Sequence, residues 1–462
     1  MPSSQSHATP GNRSSAQSLP GDIVVKLFDF LHEPDAHSSS LLACSQLCRW
    51  WRAVLLAVPR LWTTLVVHLG EAYLATTELF FARSQTYPLN LVIWGLQYDQ
   101  MPGDAVAWEV VDILKPISHR LRSLAIDHFP PFQTTAIYLR ITETLFPVLE
   151  EFEITGTPSS FGNHLRNRRG LILCPQLQRA NLVHPPFSPT ALGSCLKIRV
   201  LTFVSVFQHS EIGSCAQEIL SSLPNLEHLY IRNDVPNTGL ARAFPYIPSN
   251  FDPKSLWATY PSIKILEIKD VSDFTDLFLG RCSFPSLRRL HTGYVFPFEI
   301  LKFVSDHNRL PNLESSSVDG ASAYPGESGK LELRLFALRD ILPCLSRFPK
   351  LEDLELFRVR VGNEDGGLLP LNEVAPQLRS FALRDCVGST FEDVMQFVRS
   401  RLDPSGLKQA PLLALAVYGG MAFYARQSEC LTQVECKAHR LRSFIWVGSW
   451  DRPKWETAWS EP

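Results

Sequence analysis

The residues of this chain that could take part in chemistry lie far apart in the sequence. Cys44 and Cys48 stand one helical turn apart and could share a metal ion, but no second pair follows at the spacing of a zinc site. Burial in the core is the favoured interpretation for these thiols, and for Cys430 and Cys436. The patterns of phosphate-binding loops, dinucleotide-binding turns, serine nucleophiles and zinc hydrolases do not occur. We therefore expect a non-catalytic protein without a cofactor or a metal.

One short basic segment could recognise an acidic partner. Arg166, Arg168 and Arg169 could bind an acidic or phosphorylated peptide, because guanidinium groups form paired hydrogen bonds with carboxylate and phosphate oxygens. Solvated charge in a surface loop is the simpler and favoured interpretation. The three arginines remain candidate substrate-binding residues.

Tryptophans are concentrated near the C-terminal end. Trp446, Trp450, Trp455 and Trp459 follow one another within a short stretch, and tryptophan is enriched among the residues that anchor protein interfaces. A terminal repeat also needs a cover for its open end, and a Trp-rich cap is the favoured explanation. Trp450 and Trp455 are nevertheless candidate contacts to a substrate.

Composition and charge indicate which partners the chain could bind. With 462 residues, 45% of them hydrophobic, it can form two or three ordinary domains or one elongated array. A net charge of −2 and a pI near 6.7 provide no basic field for nucleic acid or for an anionic membrane. No membrane span or secretory signal is visible, and the cysteines are scattered singly. We expect a cytoplasmic or nuclear protein whose partners are other proteins.

A short phrase recurs through most of the chain. Its four positions are an apolar residue, proline, any residue and an aliphatic residue. A strand with alternating apolar residues follows each copy. Neighbouring copies, counting weaker ones without the proline, lie mostly 21 to 38 residues apart, which is the range of leucine-rich repeats with insertions. Clear copies begin at Phe146, Cys174, Leu223, Tyr260, Phe284, Leu310, Phe348 and Ala375.

Helical patterns lie between the predicted strands. Strand and helix alternating at this period predict an α/β fold, a right-handed leucine-rich-repeat-like solenoid with an inner parallel sheet and outer helices over residues 67–462. The helical stretches are expected near 71–85, 108–114, 212–220, 300–304 and 391–398. Proline- and glycine-rich insertions at about 156–170, 232–258, 319–330 and 362–373 are expected to be loops.

The N-terminal part of the chain has a different pattern. Residues 1–17 have no apolar period and predict a disordered tail. Pro20 suits the first position of a helix on which Ile23, Leu27 and Leu31 form one apolar stripe at i, i+4 and i+8.

A second helical region follows and completes a small module over residues 18–66. The polar stretch from His32 to Ser40 is expected to link the two parts, with Ser38, Ser39 or Ser40 as the next N-cap. Pro59 ends the helical pattern. A unit this short buries little apolar surface alone, so we expect it to complete its burial against something else.

This module resembles an F-box, and the strand and helix arrangement over residues 67–117 is similar to fungal F-box proteins of the leucine-rich type. The resemblance depends on Leu19-Pro20 with the acidic Asp22 nearby, on the Cys-Arg-x-Trp-Arg stretch Cys48–Arg52, and on the Pro-x-Leu-Trp closure Pro59–Trp62. The link from Leu31 to Cys48 is several residues longer than is usual in that family.

The resemblance implies docking onto the Skp adaptor of a cullin-based SCF ubiquitin ligase, with the repeat body as the receptor for a protein substrate. Contact with the adaptor is the favoured role of Leu19 and Pro20, whereas packing within the module is favoured for Trp51 and Trp62. The alternative function is a repeat scaffold that binds proteins outside a ligase. The implied adaptor contacts are Leu19, Pro20, Ile23, Leu27, Phe28, Leu31, Trp51 and Trp62.

Overall fold

A computed structural model describes the repeats and the N-terminal helices. Contacts within the chain define two compact units, Met1–Ile198 (unit 1) and Arg199–Pro462 (unit 2). The described residues are 19–29, 34–69, 73–95, 102–141, 144–156, 173–183, 195–204, 220, 222–232, 258–269, 282–293, 310–319, 321–325, 331–361, 367–388, 391–402, 410, 412–418 and 443–447.

Unit 1 begins with three helices, α1 (Gly21–Asp29), α2 (Pro34–Leu47) and α3 (Arg49–Leu56), followed by a 3-10 turn, Pro59–Trp62. The carbonyl of Pro20 accepts the amides of Ile23 and Val24 at 3.1 and 3.2 Å, so this proline precedes the helix instead of starting it.

The link expected between His32 and Ser40 is wrong from Pro34 onward, because that stretch already belongs to α2. Proline is well tolerated in the first helical turn. Ser38 and Leu41 are buried where α2 packs against α3 and the first strand. Tertiary packing therefore outweighs the modest helix propensity of the serines, which lie inside the helix and not at its cap.

Five parallel strands follow in unit 1, and they pair in chain order. Helices lie between the first four, which agrees with the predicted alternation. The elements are β1 (Thr64–His68), α4 (Tyr73–Arg83), β2 (Leu89–Trp94), α5 (Gly103–Leu114), β3 (Leu121–Phe129), α6 (Pro131–Ile141), β4 (Glu151–Gly156) and β5 (Arg179–Val183).

The helical module and the first repeat share one core. Trp62 is 1% exposed, its Nε1 donates to the carbonyl of Leu55 at 2.9 Å, and its ring meets Phe80 of α4 edge-on at 5.0 Å. The boundary that the sequence placed after residue 66 falls inside β1.

Unit 2 contains a parallel sheet in the order β6-β7-β9-β11-β12-β15-β16-β17-β18. Its strands are β6 (Val200–Val204), β7 (His228–Arg232), β8 (Ala258–Thr259), β9 (Ile265–Lys269), β10 (Cys282–Ser283), β11 (Arg289–Gly293), β12 (Ser315–Asp319), β13 (Ala321–Pro325), β14 (Leu331–Leu335), β15 (Asp353–Phe357), β16 (Ser380–Arg384), β17 (Ala414–Tyr418) and β18 (Ser443–Val447). Its described helices of at least four residues are α7 (Leu338–Leu345), α8 (Leu371–Val374) and α9 (Phe391–Leu402).

Two small sheets accompany the main one. Strands β8 and β10 form a short parallel pair, and β13 and β14 form an antiparallel hairpin. Strand β13 lies inside the insertion at 319–330, where a loop was expected, so that expectation is wrong for residues 321–325. The alternating pattern of Leu331–Leu335 favours a strand, which the proline and glycine before it concealed.

The recurring proline phrase forms a tight turn before a strand. The carbonyl of Phe284 accepts the amide of Leu287 at 3.0 Å, and the carbonyl of Phe348 accepts that of Leu351 at 3.1 Å. Proline occupies the second position, where its fixed φ suits a turn. The first and fourth side chains are buried, which anchors each strand's register. In the other copies of this turn, the amide of the fourth residue likewise donates to the carbonyl of the first. These donors are Leu149, Leu177, Ile198, Leu226, Leu313 and Leu378.

Each strand after such a turn has a core side and an open side. In β15, Leu354 and Leu356 are buried, whereas the first, third and fifth residues are partly exposed. Successive side chains of a strand point to opposite faces of its sheet. The partly exposed positions of the strands therefore form an open face in each unit, and the predicted α/β repeat fold with a parallel sheet is confirmed.

Candidate functional site

Helix α1 divides its apolar side chains between two faces. Val24 and Phe28 are buried, and this side packs against α3. Ile23 and Leu27, one helical turn apart, remain 38% and 47% exposed. The module therefore completes its own core and still presents an apolar pair to solvent.

Trp50, near the start of α3, is a further exposed apolar side chain close to the N-terminal end of α1. Its side chain is 46% exposed, and its Nε1 donates to the carbonyl of Leu19 at 3.2 Å. The indole therefore lies beside the Leu19-Pro20 pair at the start of α1, where Pro20 is exposed. We call the surface formed by Leu19, Pro20, Ile23, Leu27 and Trp50 the docking face.

Trp51 was an implied adaptor contact, with packing as its favoured role, but of the Trp50-Trp51 pair it is Trp50 that is exposed. Neighbouring residues of an α-helix point about 100° apart, so only one of two adjacent tryptophans can face the core. Trp51 does so and is 8% exposed. Helical periodicity was the available signal, because Trp51 falls on the stripe with Leu55 and Trp50 falls beside it.

Trp51, Trp62 and Phe28 form part of the module's interior, which is the role that the sequence favoured for the two tryptophans. Other candidates lie outside the described residues: Leu31, Arg166, Arg168, Arg169, Trp450 and Trp455, together with Cys430 and Cys436.

A second group of side chains lies on the open face of unit 1, where aromatic rings form a line across three strands. The ring of Trp94 meets His68 at 4.9 Å and His128 at 5.4 Å between centroids, both nearly edge-on. His68 and Trp94 are partners in the register of β1 and β2. The indole is held from both sides, yet it remains partly exposed.

Close backbone packing fixes the end of β2 that carries Trp94. Gly95 follows it, and a Cβ atom there would lie only 2.4 Å from the ring of Phe129. The amide of Gly95 donates to the carbonyl of Asp127 at 3.1 Å. Glycine is required at this close approach, and it holds Trp94 beside the strand of Asp127.

Two carboxylates adjoin the aromatic line. Asp127 accepts hydrogen bonds from the hydroxyl of Thr155 and, at 2.7 Å, from the amide of His128. Glu153 accepts one from Nδ2 of Asn181 at 2.7 Å. Burial raises the pKa of the Glu153 carboxyl, and the nearby charge of Asp127 raises it further, against the lowering effect of the Asn181 hydrogen bond.

This raised pKa predicts that Glu153→Gln stabilises the protein at neutral pH. Because the folded-state pKa lies above that of the unfolded chain, the folded protein binds the proton more tightly, and stability falls as pH rises between the two values. Glutamine cannot ionise and can still accept from Asn181. We expect a higher urea midpoint for the variant at neutral pH, and a smaller difference below the ordinary value of 4.5.

The matched control for this comparison is Glu78→Gln, which removes an exposed carboxylate from α4 of the same unit. Both variants lose one negative charge, so their difference isolates the effect of burial beside Asp127. Equal or lower stability of Glu153→Gln at neutral pH would contradict the prediction.

The contacts of Cys44 and Cys48 indicate structural roles for both thiols. Sγ of Cys48 accepts the amide of Trp51 at 3.4 Å and caps α3, and burial raises the pKa of the Cys44 thiol. Within the described ranges, no three His, Cys, Asp or Glu residues form a group that could hold a metal ion. None of the helices described is long and apolar enough to cross a membrane.

Comparison with known proteins gives only distant likenesses. No family model and no curated protein matches the chain. A Bacteroides fragilis protein is 12% identical with a TM-score of 0.33, and the match covers 58% of this chain and 65%, less than two thirds, of that one. The leucine-rich repeat-containing protein LegL7 of Legionella pneumophila is 12% identical, with a TM-score of 0.31 and coverage of 59% and 84%.

An internalin of Listeria monocytogenes is also 12% identical, with a TM-score of 0.31 and coverage of 81% of this chain and 82% of that one. The strand order and register within each unit establish independently that the chain is an α/β repeat protein with parallel sheets.

Proposed function

We propose that this protein is the substrate-recognition subunit of an SCF-type ubiquitin ligase. In this proposal the docking face binds the Skp adaptor, which links the chain to a cullin, and the repeat body binds a protein target. The observation that carries the proposal is the exposure of Ile23 and Leu27 on α1, although the module has a core of its own.

An exposed apolar face of this kind suits helix-in-groove recognition. Anchors at i and i+4 on one helix enter a hydrophobic groove of the partner, and their desolvation supplies most of the binding energy. Trp50 adds an aromatic anchor, and tryptophan is among the residues most enriched at energetically important interface positions. Leu19 and Pro20 precede the same helix, next to Trp50.

The connection between the module and the repeats supports a receptor role. Trp62 packs on both Leu55 and Phe80, so the docking face is joined to the first repeat through a shared core instead of a free linker. A target bound by unit 1 would therefore be held at a defined distance from the adaptor. That arrangement suits a protein that presents a substrate to an enzyme.

Co-purification of the full-length protein with the Skp adaptor and a cullin tests the proposal. We expect the protein to retain the adaptor and, through it, the cullin. If the adaptor binds but cullin never joins, the alternative of a repeat scaffold outside a ligase is favoured, and if the adaptor does not bind, the proposal is wrong. Deleting residues 18–66 is a poor test, because Trp62 and most of β1 would be lost with the docking face.

The pair Leu19 and Pro20 provides a milder test within the intact protein. Changing both to alanine is expected to weaken adaptor binding by about 2 kcal/mol or more, in the range of central apolar anchors. The helix should persist because Pro20 contributes its carbonyl, which alanine retains. Titration calorimetry of the purified partners measures the effect, and unaltered affinity in a folded double variant would show that the interface lies elsewhere.

A further inference from the structure

We propose that the open face of unit 1 binds a basic segment of a partner protein, placing a lysine or arginine side chain over Trp94 and against the carboxylates of Asp127 and Glu153. This inference deepens the protein-binding role proposed for the repeat body, and it does not depend on the adaptor.

Trp94 provides the surface on which a cation can rest. Indole is the best of the aromatic side chains at attracting a lysine or arginine cation to its face. The edge-on contacts with His68 and His128 hold the ring between two neighbouring strands. A partly exposed and immobilised indole loses little conformational freedom when a ligand binds, which favours affinity.

The carboxylates give this part of the face its charge preference. Asp127 and Glu153 lie on neighbouring strands, and their hydrogen-bond donors, Thr155 and Asn181, are neutral. His128 lies near Asp127, with its Nε2 at 3.4 Å from an oxygen of that carboxylate.

Two described arginines of the neighbouring strands contact other carboxylates. Arg122 contacts Glu150 at 2.9 Å, and Arg179 lies 3.7 Å from Glu151. The surface beside Trp94 therefore presents two neighbouring carboxylates, Asp127 and Glu153, with His68 and His128 next to the indole. A cation between Asp127 and Glu153 would relieve their mutual repulsion, which makes a basic occupant complementary to this face.

An array of short synthetic peptides of graded net charge, exposed to the full-length protein, tests this inference. We expect retention to increase with lysine and arginine content and to decrease as salt is added. The best-retained peptide is then used as a fluorescent probe in anisotropy titrations. Trp94→Ala is expected to weaken its binding about tenfold, and Glu153→Gln and Asp127→Asn should each weaken it measurably.

The matched controls are Trp108→Ala and Glu78→Gln, which remove an exposed tryptophan from α5 and an exposed glutamate from α4 of unit 1. They should bind the probe as the unaltered protein does, and circular dichroism should show every variant folded. Retention that does not depend on basic residues, no retention at all, or equal losses in the controls would overturn the inference. Adaptor binding measured on the same variants should be unchanged, so failure here and failure of the ligase proposal can be told apart.

Discussion

Replacing Ile23 and Leu27 together with aspartate is expected to abolish retention of the Skp adaptor while the protein stays folded. These side chains are 38% and 47% exposed, so aspartate at either position can reach water in the free protein. In the complex, by contrast, two carboxylates would have to be desolvated in an apolar groove. We expect affinity to fall by at least about a hundredfold, or about 3 kcal/mol, in titration calorimetry with purified adaptor.

Leu145→Asp is the matched control for this prediction. Leu145 is 54% exposed and belongs to unit 1, but it lies beyond α6 and outside the docking face. The control should bind the adaptor normally. Unchanged affinity of the double variant would rule out the docking face, whereas equal loss in the control would show that added surface charge, and not this face, governs binding.

Changing the buried residues of α1 should have a different outcome. Val24 is fully buried, and aspartate there would place a charge inside the module's core, which costs far more than exposing one at the surface. Val24→Asp is therefore expected to unfold the module. Loss of adaptor binding in that variant would carry no information about the interface.

The strands could be predicted from the sequence because their signals are local. Each proline phrase specifies a turn within four residues, and the alternation that follows specifies a strand. The bond from Leu351 to Phe348 and the buried pair Leu354 and Leu356 show both signals in one repeat. Neither signal depends on another part of the chain, so the α/β repeat fold was predictable.

The start of α2 was less predictable, because it depends on tertiary packing. The serines before Leu41 favour caps and turns over helix interiors. Only the contacts of α2 with α3 and β1 show why they are helical. The same limit applies to Arg401, whose guanidinium donates to the carbonyls of Leu371 and Ala375 at 3.3 and 2.6 Å and so satisfies the end of another helix.

The group around Trp94 could not be predicted because its members come from different repeats. Thr155 and Asp127 are 28 residues apart in the chain, as are Asn181 and Glu153. Such pairs become visible only when the register between neighbouring strands is known. The repeat phrase predicts that strands are adjacent, but the one-residue register decides which side chains share the open face.

Trp62→Ala is expected to cause the largest loss of stability among the tryptophan variants considered. Trp62 is 1% exposed and packs on Phe80, which is fully buried. Removing a buried aromatic ring of this size typically costs about 3–5 kcal/mol. The carbonyl of Leu55 also loses its donor. Urea unfolding followed by circular dichroism should show the loss.

Trp50→Ala provides the matched comparison on the other side of the module. Trp50 is 46% exposed, against 1% for Trp62, so we expect a clearly smaller loss of stability, about 1 kcal/mol. Its loss should weaken adaptor binding, because the docking face loses its aromatic anchor. Trp62→Ala, studied where it remains folded, should bind the adaptor nearly normally. If the two variants exchanged these effects, Trp62 would be the contact and Trp50 the core residue, and the assignment of the docking face would be wrong.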